Sequence, residues 1–187
     1  MKRFNTAKLA MAMFIGSEVV FFGFLIASFI YYRANAAPAV YGNANVLDPA
    51  RTLIFTFCLL SSSGTLWLAE RRLAAAHTAG FRRWLIATIV LGAAFIGGQA
   101  WEYIGLVSKL IVPGRNLFAA SFFTLTGFHG FHVCCGLISL GVLLLLTFRG
   151  NFGGREISGV GAVSMYWHFV DAVWIAIYSL VYLTVWL

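Results

Sequence analysis

Proton-transfer and ligand chemistry in this chain rests on a short roster: four histidines, six carboxylates and three cysteines in 187 residues. The segment YWHFVDAVW, residues 166–174, holds His168 and Asp171 at i and i+3. On a helix that spacing sets two side chains about 60° apart on one face, so they can reach each other. FHGFHVCCG, residues 128–136, repeats the spacing with His129 and His132. A pair like this can bind one metal or present imidazoles to a cofactor. Metal sites, however, usually need three or more ligands and an organised surround, and Gly130 between the two reads as a close helix contact. Buried hydrogen-bonding histidines are the preferred reading, with no metal. Glu18 in SEVVFFGF lies about 15 Å of helix beyond Lys8. It either locks helix packing through a hydrogen bond or protonates beside a proton route, since burial favours the neutral acid. Glu102, between Trp101 and Tyr103, reads as an interfacial acid that snorkels toward water. His77 falls in a connection and reads as solvated. Cys58, Cys134 and Cys135 form no Cys-x-x-Cys pair and read as small buried packing residues.

The elements that must carry these groups follow from composition. The chain is 61% hydrophobic, 17% aromatic and 10% charged, against about 25% charged in soluble domains. Five apolar stretches, 9–32, 52–69, 84–106, 117–148 and 163–187, approach the roughly 20 residues that cross a hydrocarbon core. An ionisable group at the centre of such a helix costs roughly 2.5 to 3.5 kcal/mol, so it normally faces protein and has a partner. The expected fold is an all-α integral membrane protein, one domain over 1–187, built as a bundle of five transmembrane helices. The connections are too short for a soluble domain. Pro38, Gly42, Asn43, Asn45 and Pro49 punctuate the first as an exposed loop. Ser61, Ser62, Ser63, Gly64 and Thr65 in the second stretch read as a helix-packing face.

The net charge of +7 is no nucleic-acid footprint, because the basic residues sit at segment ends. Nine of the thirteen, Lys2, Arg3, Lys8, Arg71, Arg72, Arg82, Arg83, Arg149 and Arg155, fall on one side; Arg33, Arg51, Lys109 and Arg115 fall on the other. The positive-inside rule then predicts a cytoplasmic N-terminus and an external C-terminus. The first segment lacks a small-residue cleavage site and carries Glu18, so a retained helix is expected, not a signal peptide. There is no internal repeat and no Gly/Pro-broken helix pair, which gives a transport pathway little support.

Taken in order, SEVVFFGF at 17–24, QAWEY at 99–103, FFTLTGFHGFHVCCG at 122–136 and YWHFVDAVW at 166–174 resemble subunit III of the haem-copper respiratory oxidases. The resemblance implies that Glu18 is that family's buried first-motif glutamate, that His129 and His132 are its histidine pair, and that His168 and Asp171 are its C-terminal pair. Longer members have seven helices, and this chain has the look of the short five-helix form. The resemblance also implies an accessory, non-redox subunit of a proton-pumping terminal oxidase in a bacterial plasma (inner) membrane. Such a subunit stabilises catalytic subunit I, contacts subunit II and other small subunits, binds phospholipid and supports proton uptake. Haem and copper are expected on those partners and no cofactor on this chain. Two other readings stand beside it: subunit III of a quinol oxidase or a nitric oxide reductase relative, and an independent membrane haem protein ligated by His129, His132 and His168.

Overall fold

A computed structural model describes residues 6–41, 47–149 and 154–183. The elements are α1 (Thr6–Asn35), a single turn α2 (Pro38–Tyr41), α3 (Pro49–Ala74), α4 (Thr78–Ser108), α5 (Leu117–Phe148) and α6 (Gly154–Val181). Five of them are long and apolar enough to cross a membrane. The protein is an all-α membrane bundle.

Most helices run past the apolar stretches that announce them, because capping groups and not hydropathy fix their ends. Asp48 starts α3 by accepting from the Arg51 amide at 3.1 Å, ahead of Pro49 in the first turn. His77 starts α4: its Nδ1 accepts from the Gly80 amide at 2.9 Å, so this histidine is a helix cap and not merely solvated. Asn116 does the same for α5, accepting from Ala119 N at 2.7 Å. The far ends of α3 and α4 close in Schellman turns. The amide of His77 donates to Arg72 O and that of Ala76 to Leu73 O, while Ile111 donates to Leu106 O and Leu110 to Val107 O. The residues at the turning points, Ala76 (φ 54°) and Leu110 (φ 60°), are not glycines. The fourth apolar stretch coincides with α5, and the fifth begins earlier, at Gly154.

Helices α3 and α4 form an antiparallel hairpin, α5 packs on α1, α4 and α6, and α6 packs on α1, α3 and α5. More than half of the most apolar window of α6, 56%, is buried, against 6% for α1. Helix α6 is therefore the core of the bundle and α1 its outlier. Trp167, Trp174, Ile177 and Tyr182 fill the centre with Phe81, Phe95 and Phe122. Two glycines make room for the first indole. A Cβ at Gly92 would lie 2.8 Å from the Trp167 ring, and one at Gly136 2.7 Å from it. At Gly98 a Cβ would run into the Phe55 ring.

Gly130 differs from expectation, since among the described residues no heavy atom beyond its own stretch of helix lies within 4 Å of where its Cβ would stand. It lines a surface groove between α4 and α5 with Gln99, Tyr103, Thr126 and Cys134. The cysteines also differ. Cys134 is exposed and Cys58 and Cys135 are only partly covered, because each lies on a flank of its helix. Tyr41 on α2 packs against Phe118 of α5, ring centroids 5.8 Å apart. Burial there pushes its hydroxyl pKa up, and nearby Arg33 pulls the other way less strongly. At the opposite end, Arg82 bonds the carbonyl and hydroxyl of Thr147, fastening the start of α4 to the close of α5.

Candidate functional site: three separate polar clusters

The first cluster joins α1 to α5. His132 Nδ1 lies 2.7 Å from the Phe128 carbonyl oxygen, four residues back on its own helix. A carbonyl only accepts, so Nδ1 carries a proton, and the other nitrogen turns to Glu18. Nε2 is 3.1 Å from Glu18 Oε2, with the side chains 10% and 17% exposed respectively. One proton is shared across that contact. Either a carboxylic acid donates to a neutral imidazole, or a carboxylate accepts from an imidazolium. Phe22 packs edge-on against the His132 ring at 5.0 Å, and Tyr166 of α6 donates to the His132 carbonyl at 2.9 Å. The pair is thus held by three helices.

The second cluster joins α3 to α6 through the serine run. Trp167 Nε1 donates to Ser62 Oγ and Trp174 Nε1 to Thr56 Oγ1, each at 2.9 Å. Ser63 donates to Asp171 Oδ2 and lies 2.8 Å from His168 Nδ1. His168 and Asp171 therefore meet through Ser63, not by the direct contact that their spacing suggests. A serine has one proton. With that proton on Asp171, Nδ1–H of His168 donates to Ser63 Oγ and its Nε2 points away. Asp171 is only 4% exposed, and its Oδ1 has no hydrogen-bond partner among the described residues. His168 is exposed. Ser63 was expected only to pack. The overlooked signal is its register with Thr52 and Thr56, hydroxyl residues recurring at helical spacing on the face of α3 that meets α6.

His129 belongs to neither cluster. It is 1% exposed, and neither ring nitrogen has a hydrogen-bond partner among the described residues. The ring stacks on Trp174 at 4.8 Å and meets Phe95 edge-on at 5.9 Å. The expected hydrogen-bonding role thus holds for His132 alone, because His129 packs against the rings of Trp174 and Phe95, which offer its nitrogens no hydrogen-bond partner. Its turn toward Trp174 of α6, while His132 turns toward Glu18 of α1, keeps the two imidazoles from converging on one point. Among the described residues no three His, Cys, Asp or Glu side chains come together as a metal-binding group.

The third cluster lies at the end of the bundle where α3 begins and α4 and α6 finish. Glu102 accepts from Thr52 Oγ1 at 3.2 Å, from Tyr182 Oη at 2.7 Å and from Gln99 Nε2 at 3.4 Å. The acid expected to snorkel is instead tied inward, since donors from α3, from its own helix α4 and from Tyr182 just past α6 converge on it. Thr52 and Tyr182 lie far from QAWEY in sequence, and nothing local points to them. Glu102 also borders a cavity of about 110 Å³ with Asp48, Arg51, Gly105, Leu106 and Lys109. Arg51 stacks over Trp101 at 5.1 Å.

With this geometry established, comparison with known proteins gives a consistent result. The model of the family described as cytochrome c oxidase subunit III matches residues 3–186. A cytochrome c oxidase subunit 3 from Corynebacterium diphtheriae is 35% identical, the alignment covering 97% of this chain and 90% of that protein. One from Thermostichus vulcanus is 34% identical, covering 94% and 86%. A quinol oxidase subunit 3 from Bacillus spizizenii is 35% identical, covering 91% and 83%.

Proposed function

The chain belongs to the cytochrome c oxidase subunit III family, and on that premise we propose that it is the accessory, non-redox subunit of a proton-pumping terminal oxidase. It lies in a bacterial plasma membrane with its N-terminus in the cytoplasm. There it braces catalytic subunit I, in company with subunit II and smaller subunits, holds phospholipid and keeps proton uptake fast. Haem and copper belong to the partners.

The observation that carries this reading is the dispersal of the polar groups. Glu18 is committed to His132, Asp171 to Ser63, and Glu102 to Thr52, Gln99 and Tyr182. Each cluster ties helices together at a different place. A redox or hydrolytic centre needs such groups converging on one substrate. Proton support falls to the Glu18–His132 pair, because it holds one movable proton on α1, the most exposed helix. Phospholipid suits the basic residues at helix ends, such as Arg51 and Lys109, as phosphate partners.

The test is purification of the native complex in mild detergent through a tag on this chain, with mass spectrometry of all that accompanies it. Recovery of a histidine-rich polytopic subunit with oxidase spectra is the expected result. A chain that emerges alone, with or without a haem band, overturns the proposal. The quinol oxidase relative at 35% identity favours a second reading of the electron donor. Oxidation of quinol, and not of cytochrome c, by the recovered complex would select it.

A further inference from the structure

His168 poses a problem that the isolated chain does not solve. It lies near the middle of the Gly159–Val181 span, yet its side chain is exposed at the surface of the bundle. With Nδ1 directed to Ser63 at 2.8 Å, Nε2 faces outward as an acceptor. A polar ring turned toward hydrocarbon at that depth is unfavourable, and residues of this kind are found facing protein. The surroundings point the same way. C-terminal to His168 along α6, the outward positions are Ala172, Ile175, Ala176 and Ser179, mostly small. Helix α5 presents lipid-like bulk instead: Phe131, Ile138, Val142 and Leu145. On one flank of the α6 stripe, the Phe169 ring meets that of Phe22 of α1 edge-on, centroids 6.4 Å apart. On the other, Ser63 of α3 reaches His168. The stripe is thus the floor of a groove walled by α1 and α3.

We propose that this groove seats a transmembrane helix of another oxidase subunit, one that brings a hydroxyl or N–H donor to His168 Nε2 at mid-membrane depth. Small residues on the floor let a second helix backbone approach closely, which is how membrane helices gain packing contact. An acyl chain fills space equally well but offers no donor. The hydrogen-bond complementarity of His168 therefore selects a protein helix over lipid. The inference rests on the proposed function, since it takes its partner from the oxidase complex.

The experiment is site-specific photo-crosslinking in native membranes, with a benzophenone side chain installed at Ala172 or Ser179 in the groove, and at Val142 or Leu145 on α5 as the outward control. The expected result is a covalent adduct with another subunit of the oxidase from Ala172 and Ser179, identified by mass spectrometry, and only lipid adducts from Val142 and Leu145. Adducts from the groove with phospholipid alone, or with a second copy of this chain, overturn the inference, as does capture of the oxidase subunit from α5 instead. Paired variants add a second readout. His168→Leu lowers the amount of partner retained through detergent washing, and His168→Gln, which keeps an outward acceptor, restores it. Equal retention by His168→Leu and the natural chain contradicts the inference. Should this chain fail to copurify with any oxidase, the proposed function falls; should it copurify but crosslink elsewhere, only the groove assignment falls.

Discussion

Glu18 and His132 hold one proton between a carboxyl oxygen and Nε2, and a glutamine amide can replace only part of that arrangement. In Glu18→Gln the amide still donates to Nε2, so the complex keeps its thermal midpoint and the stability cost stays under about 1 kcal/mol. Glu18→Leu strands a buried ring nitrogen and costs about 1 to 3 kcal/mol. Both variants lose the exchangeable acid, and both slow proton uptake by the assembled oxidase, measured with a pH indicator in vesicles. Equal destabilisation by the two would show that size, not hydrogen bonding, matters at Glu18. Ser63 is placed similarly, its single hydroxyl serving both His168 and Asp171. Ser63→Ala leaves Asp171 without either carboxyl oxygen paired and lowers stability by about 1 to 3 kcal/mol, whereas Ser63→Thr, retaining the hydroxyl, recovers most of it. Heat-induced release of this chain from the complex is the measurement. At this scale the charged members of each cluster were legible, because an ionisable residue stands out in an apolar run. Their neutral partners, Ser63, Thr52 and Tyr182, were not, since a hydroxyl inside a membrane helix looks the same whether it bonds its own backbone or a distant carboxylate.

Helices meet closely where glycine lets them, and only the structure separates the glycines that matter from those that do not. Gly92→Ala and Gly136→Ala each press a methyl group into the Trp167 ring and cost about 1 to 3 kcal/mol by overpacking. Gly141→Ala has open space around the new methyl and raises helix stability by roughly 0.5 to 1 kcal/mol. Thermal denaturation of the three single variants in detergent tests the ranking, and an unaffected Gly136→Ala would contradict the packing assigned to Trp167. The Schellman turns yield the opposite kind of substitution. Leu110 is 60% exposed and holds a left-handed backbone, a conformation that costs a non-glycine residue roughly 1 to 2 kcal/mol. Leu110→Gly therefore raises the midpoint, and a lowered one would mean that the leucine side chain packs on a neighbour. Element type was plain in the sequence and element ends were not. Caps such as Asp48, His77 and Asn116 lie outside the apolar runs, where hydropathy carries no information about helical hydrogen bonding.

Across the whole molecule, the least hydrophobic span is the most buried. The α6 window has a mean hydropathy of 1.4 with 56% buried, and the α1 window 2.1 with 6% buried. In a bilayer this order is natural, because lipid-facing positions must be apolar while interior ones tolerate serine, histidine and aspartate that bond to one another. The five-helix bundle was therefore legible from apolar runs, but which helix lies at its centre was not. A soluble-protein intuition would place α6 on the outside. The motifs SEVVFFGF, QAWEY, FHGFHVCCG and YWHFVDAVW were legible as a set and pointed to the oxidase family on their own. Their division into three clusters, each fastening a different set of helices, emerged only once helix contacts were known. That division underlies the central claim that this chain supports an oxidase without performing its redox chemistry. The most direct test is to delete the chain from its host and assay the remaining oxidase for haem and copper content, initial oxygen reduction and the decline of turnover with time. The account predicts unchanged metal content and near-normal initial oxygen reduction, followed by faster inactivation and slower proton uptake. Immediate loss of oxygen reduction together with missing haem or copper would contradict it.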